Sequence, residues 1–138
     1  MKRMRGFSLI ELMIALVIVA IVAAIAIPGY RSYVMRTNRG DATAALLRIA
    51  AAQEKFYLQN NTYTANLDDP PPAGLGIPAT ANGYYDLSIE QADTAGFTAT
   101  ATAIAGGAQA DDAECQTFTI SEQGVRDSAP AEAEVCWR

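Results

Sequence analysis

Met1-Lys-Arg-Met-Arg-Gly6 is followed by Phe7-Ser-Leu-Ile-Glu11 and then by sixteen consecutive apolar residues, Leu12 to Ile27. This stretch decides the fold. From Phe7 to Ile27 a helix would extend roughly 31 Å, about one hydrocarbon core. One carboxylate, Glu11, lies inside that span. An acid in lipid costs at least a few kcal/mol, which points to a function for it. Pro28-Gly-Tyr30 closes the segment.

The rest of the 138 residues suffices for one small globular domain. Lys2, Arg3 and Arg5 sit before Gly6, where there is no acid. Without those three cations the side-chain charge goes from -5 to -8. An acidic domain is not a nucleic-acid footprint, which needs a basic face. Arg31, Arg36, Arg39 and Arg48 give the segment after the span a local basic bias and are expected to form a collar facing headgroups or neighbours. The chain contains no histidine, so it lacks the commonest general base and metal ligand. No enzyme, cofactor or metal is expected.

An ordinary secretory signal with a small-x-small site at Ala24-Ile-Ala26 is the competing interpretation. Two features oppose it. Glu11 would lie in the apolar region of the signal, and the helical pattern continues past Ala26. Ala42, Ala45, Ile49, Ala52 and Phe56 recur at spacings of three and four, an amphipathic stripe that must pack on an apolar surface. Arg39, Arg48 and Lys55 fall off it. The spacing predicts one helix over 7–58, with its transmembrane part over 7–29 and its amphipathic part over 30–58. Pro28 is expected to kink it, because proline removes one intrahelical hydrogen bond.

The pattern breaks over 59–82, where Asn60-Asn61, Asp68-Asp69-Pro70-Pro71-Pro72 and Gly74-Leu-Gly76 predict a long connection. Its length of about 24 residues suits either an interaction surface or a solvated link. Asn60-Asn61-Thr62 matches a glycosylation sequon, a cheap match that carries no weight. Residues 83–138 hold three stretches of period two: Tyr84 to Glu90, Phe97 to Ile104 and Gln116 to Ser121. Gln123-Gly124-Val125-Arg126 is a candidate start for a fourth strand, and 128–134 is expected to be a surface loop. The fold class is α+β, a long N-terminal helix packed on a small antiparallel sheet of three or four strands.

Basic residues, then Gly6-Phe7-Ser-Leu-Ile-Glu11, then an apolar run closely resemble the class III signal of type IV pilins and pseudopilins. The resemblance is specific from Met1 to about Tyr33 and architectural beyond. It implies a type IV pilin-like fold and a leader, 1–6, cut between Gly6 and Phe7 by a prepilin peptidase that also N-methylates Phe7. It further implies that Glu11 registers an incoming subunit by pairing with a neighbour's N-terminal amine. On a helix that began at Phe7, positions 7 and 11 would also be neighbours, and a helix N-terminus favours an anion. Pilin-like helices often unwind near such a proline, so 20–28 is where unwinding is expected.

In pilins a C-terminal cysteine pair bounds a contact region. Here Cys115 and Cys136 enclose twenty residues. A bridge between them, formed in an oxidising periplasm, contributes roughly 3 kcal/mol on the loop-entropy model. Asp111, Asp112 and Glu114, with Asp127, Glu132 and Glu134 nearby in sequence, form an acidic cluster in the region where some pseudopilins place a calcium site. They carry no EF-hand pattern, and loop acids are usually solvated.

The resemblance implies single-pass insertion in the inner membrane, a periplasmic C-terminal domain and later transfer to an extracellular pilus. Its partners would be other pilin subunits, the prepilin peptidase and the inner-membrane assembly machinery, with nucleic acid not expected. The local pattern around the cysteines looks most like PilE-type minor pilins. A major pilin or a type II secretion pseudopilin is the alternative within the family. A membrane-anchored or secreted binding module for adhesion or DNA uptake is the alternative of another class.

Overall fold

A computed structural model describes residues 7–138. The element order is one long helix, four strands and one short helix: α1 Leu9–Asn60, β1 Tyr85–Ala92, β2 Phe97–Ala103, β3 Cys115–Ser121, β4 Arg126–Pro130 and α2 Ala133–Cys136. The chain divides between Val34 and Met35 into two units.

In the first unit, α1 starts at Leu9 rather than Phe7. The carbonyl of Ser8 accepts the Leu12 N–H at 3.1 Å, which places Ser8 at the capping position. Phe7 therefore precedes the first turn, and Glu11 lies within it. The helix continues through Pro28, and the unwinding expected over 20–28 is not seen. Ser32 Oγ donates to the Pro28 carbonyl at 2.9 Å, a back-bond typical of helical serine.

In the second unit, α1 buries Arg39, Asp41, Ala42, Ala45, Leu46, Ile49 and Gln53. Arg39, Ala42, Leu46, Ile49 and Gln53 follow one another at spacings of three and four and form the central line of contact. The expected stripe shares Ala42 and Ile49 with this line and otherwise lies to one side of it. Ala42, Ala45 and Ile49 are buried, whereas Ala52 and Phe56 are only half-buried at its edge.

The strands form an antiparallel meander in sequence order. Tyr85 pairs with Ala103, Ala101 with Phe118 and Phe118 with Ser128. Phe97, Ala99, Ala101 and Ala103 of β2 share the core face with Tyr85, Phe118 and Ile120, and Ala42, Leu46 and Ile49 pack into the same cluster. β2 contributes the small alanines of this cluster, and β1 and β3 contribute the large Tyr85, Phe118 and Ile120 on either side. Each buried Leu, Ile or Phe is worth about 1.5–3 kcal/mol. The opposite face presents Thr98, Thr100 and Thr102 beside Ser121, Thr119 and Thr117.

The C-terminal region differs from expectation. Glu122 and Gln123 make the β3–β4 turn, closed by Gly124 (φ +73°) donating its N–H to the Ser121 carbonyl, and the fourth strand starts only at Arg126. The segment expected to be a loop supplies most of that strand and then α2. Its short polar residues show little alternation, so their pairing with β3 was not visible in the sequence. Pro130 ends β4 on the edge of the sheet, where its missing N–H is harmless.

Candidate functional site

The residues singled out in the first unit lie at its start. Gly6 falls outside the described residues. Phe7 is exposed, Glu11 is in the first helical turn, and the apolar side chains after it are exposed on every side. Among the described residues one helix is long and apolar enough to cross a membrane, and none of its apolar window is buried. A helix hydrophobic all round requires lipid or other helices around it.

The second unit is organised by polar side chains that fasten its connections to the helix. Arg39 Nε and Nη2 donate to the two carboxylate oxygens of Asp112 at 2.7 and 2.8 Å, and Nη2 also reaches Glu114 at 3.0 Å. Asp112 accepts further bonds from the backbone N–H groups of Glu114 and Cys115. Burial alone would push the Asp112 carboxyl up. The hydrogen bonds and charge of Arg39, with the two N–H groups, outweigh burial and hold it below the usual carboxylate range. The bond to Asp112 likewise raises the already high value of the Arg39 guanidinium, against the opposing effect of burial.

Gln109 is fully buried in the same connection. Its Nε2 donates to the Met35 carbonyl at 3.0 Å and to the Tyr85 hydroxyl at 2.9 Å, and its Oε1 accepts from Asn38 at 3.1 Å. Burial pushes the Tyr85 hydroxyl up, partly offset by the Gln109 bond. The connection before β1 is held at both ends. Gln53 pairs with the backbone of Thr64 through Nε2 to the carbonyl (2.6 Å) and N–H to Oε1 (3.1 Å). Asp41 accepts from Asn82 and from the Tyr84 N–H. Among the described residues no buried side-chain nitrogen or oxygen lacks a partner. These contacts fasten two long connections, of which the one before β1 also places Leu67, Leu75 and Ile77 in the core.

Cys115 and Cys136 are joined in a disulfide with Cα atoms 5.7 Å apart. It ties α2 to the start of β3. Trp137 follows, packs edge-on against Phe118, lies under Arg126 and donates from Nε1 to the Asp127 carbonyl. That bond occupies part of the exposed edge of β4. Beside the disulfide, a cavity of about 400 Å³ is lined by Arg36, Arg39, Glu114, Val135, Cys136 and Arg138.

A sequence profile described as type IV minor pilin ComP, DNA uptake sequence receptor, matches residues 28–119, and one described as the prokaryotic N-terminal methylation motif matches residues 1–27. The fimbrial protein EcpC of Eikenella corrodens is 37% identical over 110 residues, covering 76% of this chain and 69% of that one. The chain belongs to the type IV pilins. PilA4, the major component of the type IV wide pilus of Thermus thermophilus, is 34% identical over 72% of this pilin and 84% of its own length. The non-core minor pilin PilV of Neisseria meningitidis has the same fold, with a TM-score of 0.52 at 19% identity over 71% of this pilin and 89% of that chain. Type IV pilins are structural proteins that assemble with other pilin subunits into filaments. An apolar N-terminal helix carrying this motif fits a membrane-anchored pilin that ends in the pilus.

Two expectations for this pilin are corrected. Arg39 is not part of an exposed collar, and Asp112 is not a solvated loop acid. They form a buried ion pair, 6% and 2% exposed. Seventy-three residues separate them, so no local pattern could have paired them. Asp41, Gln53 and Gln109 were missed altogether. Arg39 and Gln53 could have been found from the sequence, because each continues the Ala42–Leu46–Ile49 line by one step. Gln109 offered no such signal. Among the described residues no group of three or more acids or cysteines could hold a metal ion.

Proposed function

We propose that this pilin is a minor subunit of a type IV pilus. It is made as a precursor, cut between Gly6 and Phe7 by a prepilin peptidase and N-methylated at Phe7. It then waits in the inner membrane with the residues after Ile27 in the periplasm, until the assembly machinery moves it into the filament. The observation that carries this reading is an apolar helical segment exposed on every side and preceded by a basic leader. Such a segment can exchange lipid for neighbouring helices at little cost, since both surroundings are apolar. Cleavage leaves it intact and creates the amine that Glu11 of a neighbouring subunit pairs with. Left unpaired in that apolar setting, the carboxylate would cost several kcal/mol. Pro28 kinks the helix beyond the apolar run in the assembled state.

The minor assignment is supported by the ComP profile, which spans most of the chain. The intact mass of membrane-purified protein tests the processing. Loss of residues 1–6 with gain of one methyl group is expected, and a chain beginning near Ile27 refutes it. Glu11→Lys should insert normally and fail to enter filaments; undiminished incorporation removes the registering role. Quantitative mass spectrometry of sheared filaments should find this chain as a small fraction of total pilin, and a dominant share would make it the major subunit.

A second reading, a DNA-uptake receptor, is favoured by the arginine-lined cavity on an otherwise acidic domain and by the description of the matching profile. Phosphate contacts made there would be salt-sensitive. A gel shift with duplex DNA should weaken with added salt and with Arg138→Glu. Absence of any shift at low salt rejects this reading.

A further inference from the structure

Asn82 is the one asparagine in the chain followed by glycine. It lies in a solvent-exposed bend just before β1. Gly83 adopts φ +69°, and the space that a Cβ would occupy there is empty to 4 Å. Glycine carries no side chain, so nothing on the following residue hinders attack by its backbone nitrogen on the Asn82 side chain. Asparagine is among the chemically labile residues of proteins. A single group restrains it. The backbone N–H and the Nδ2 of Asn82 both donate to Asp41 Oδ1 at 3.1 Å, and Asp41 is itself buried on α1.

We propose that Asn82 is a spontaneous deamidation site of the folded protein, and that its contact with Asp41 both slows the reaction and converts its product into a structural change. The Gly83 backbone nitrogen loses its proton to solvent base and attacks Asn82 Cγ. A C–N bond forms, the bond from Cγ to Nδ2 breaks, and ammonia leaves after taking up a proton. The resulting five-membered imide takes up one water, which opens either of its two C–N bonds. The products are aspartate and isoaspartate at position 82. Water is the only co-reactant, and no electrons are transferred.

The consequence follows from the partner. An amide that donates to the Asp41 carboxylate becomes a second carboxylate beside it. Asp41 loses a donor and gains a like charge at hydrogen-bond range, the arrangement that most disfavours two ionised acids. Asp41 also holds the Tyr84 N–H at 3.4 Å, so the repulsion acts where the connection enters β1. The start of that connection is held independently by Gln53 and Thr64. Conversion should thus free the end near β1 and leave the other attached. Where isoaspartate forms, the backbone gains a methylene and the turn register is lost as well.

The test uses the full chain in detergent micelles, incubated in mildly alkaline buffer and mapped by peptide mass spectrometry with isoaspartate detection. The peptide containing Asn82 should gain the mass difference between amide and carboxyl, more slowly in the folded than in the denatured chain. Asp41→Asn should accelerate the folded-state reaction several-fold. No conversion at Asn82 over a period in which the denatured chain converts fully, or an unchanged rate in Asp41→Asn, overturns the proposal. Because Asp41→Asn could simply unfold, a charge-swapped pair supplies the second measurement. Asn82→Asp should lower the melting temperature, and adding Asp41→Asn to it should restore much of the loss. Asn82→Asp as stable as the parent, or a pair less stable than Asn82→Asp, equally overturns it.

Discussion

Replacing Arg39 with methionine tests whether the buried ion pair is what holds the β2–β3 connection. Methionine keeps much of the volume and removes the charge. Asp112 would then keep the N–H groups of Glu114 and Cys115 but lose two short bonds from the guanidinium. The third bond, to Glu114, matters less. That side chain is 63% exposed, so its contribution falls within about 1 kcal/mol. Removing one member of a buried pair costs about 3–5 kcal/mol, because the other is left charged and unmatched. In a folded unit of this size each kcal/mol shifts the midpoint by about 4–8 °C, so the shift should exceed about 10 °C. The fluorescence of Trp137, the only tryptophan, reports unfolding of this region in micelles.

The contribution of Asp112 to the pH dependence of stability should reverse in sign in the Arg39→Met variant. The Asp112 carboxyl titrates lower in the folded chain than in the unfolded one. Its contribution is therefore present above the unfolded value of about 3.9 and is lost as pH falls through the lower folded value. Without Arg39, burial dominates and the folded value rises above the unfolded one. Acidification should then narrow the gap between variant and parent. A double-mutant cycle with Asp112→Asn should give a coupling of about 1–3 kcal/mol. A variant within about 1 kcal/mol of the parent, with a parallel pH profile, would refute the reasoning.

Three further outcomes are expected. Reduction of the Cys115–Cys136 bond, or replacement of both cysteines by serine, should cost roughly 3 kcal/mol in denaturant titrations, with the loss absent if the bridge is not formed in the native protein. Gln109→Leu removes the donor to the buried Tyr85 hydroxyl and the Met35 carbonyl. It should destabilise by about 1–3 kcal/mol, and adding Tyr85→Phe should recover part of it. Gly74→Ala would place a Cβ 2.6 Å from the Asp69 carbonyl and 2.8 Å from that of Asn66, both backbone atoms. Faster proteolysis in the connection before β1 is therefore expected.

The sequence by itself determined the helix, the strands of period two and the N-terminal methylation motif, because each is written in short-range order. Twenty-one residues of near-continuous apolarity make a helix long and apolar enough to cross a membrane. Alternation in Phe97 to Ala103 can only be a half-buried strand. The basic residues before Gly6, with Phe7 and Glu11, belong to a contiguous motif that needs no folding to be recognised. β4 was partly hidden, since a short polar edge strand owes its existence to the backbone of β3.

Tertiary structure alone decided the fate of the charged and amide side chains. Arg39 and Asp112 each look solvent-bound in their own neighbourhood. They are buried because α1 and the connection before β3 converge, and a charge enters an interior at bearable cost only where its counter-charge is already placed. Gln53 and Gln109 follow the same logic, their partners lying 11 to 74 residues away. The opening stretch carries the motif by which this pilin is recognised. The shape of the domain it carries depends on pairings that exist only after folding.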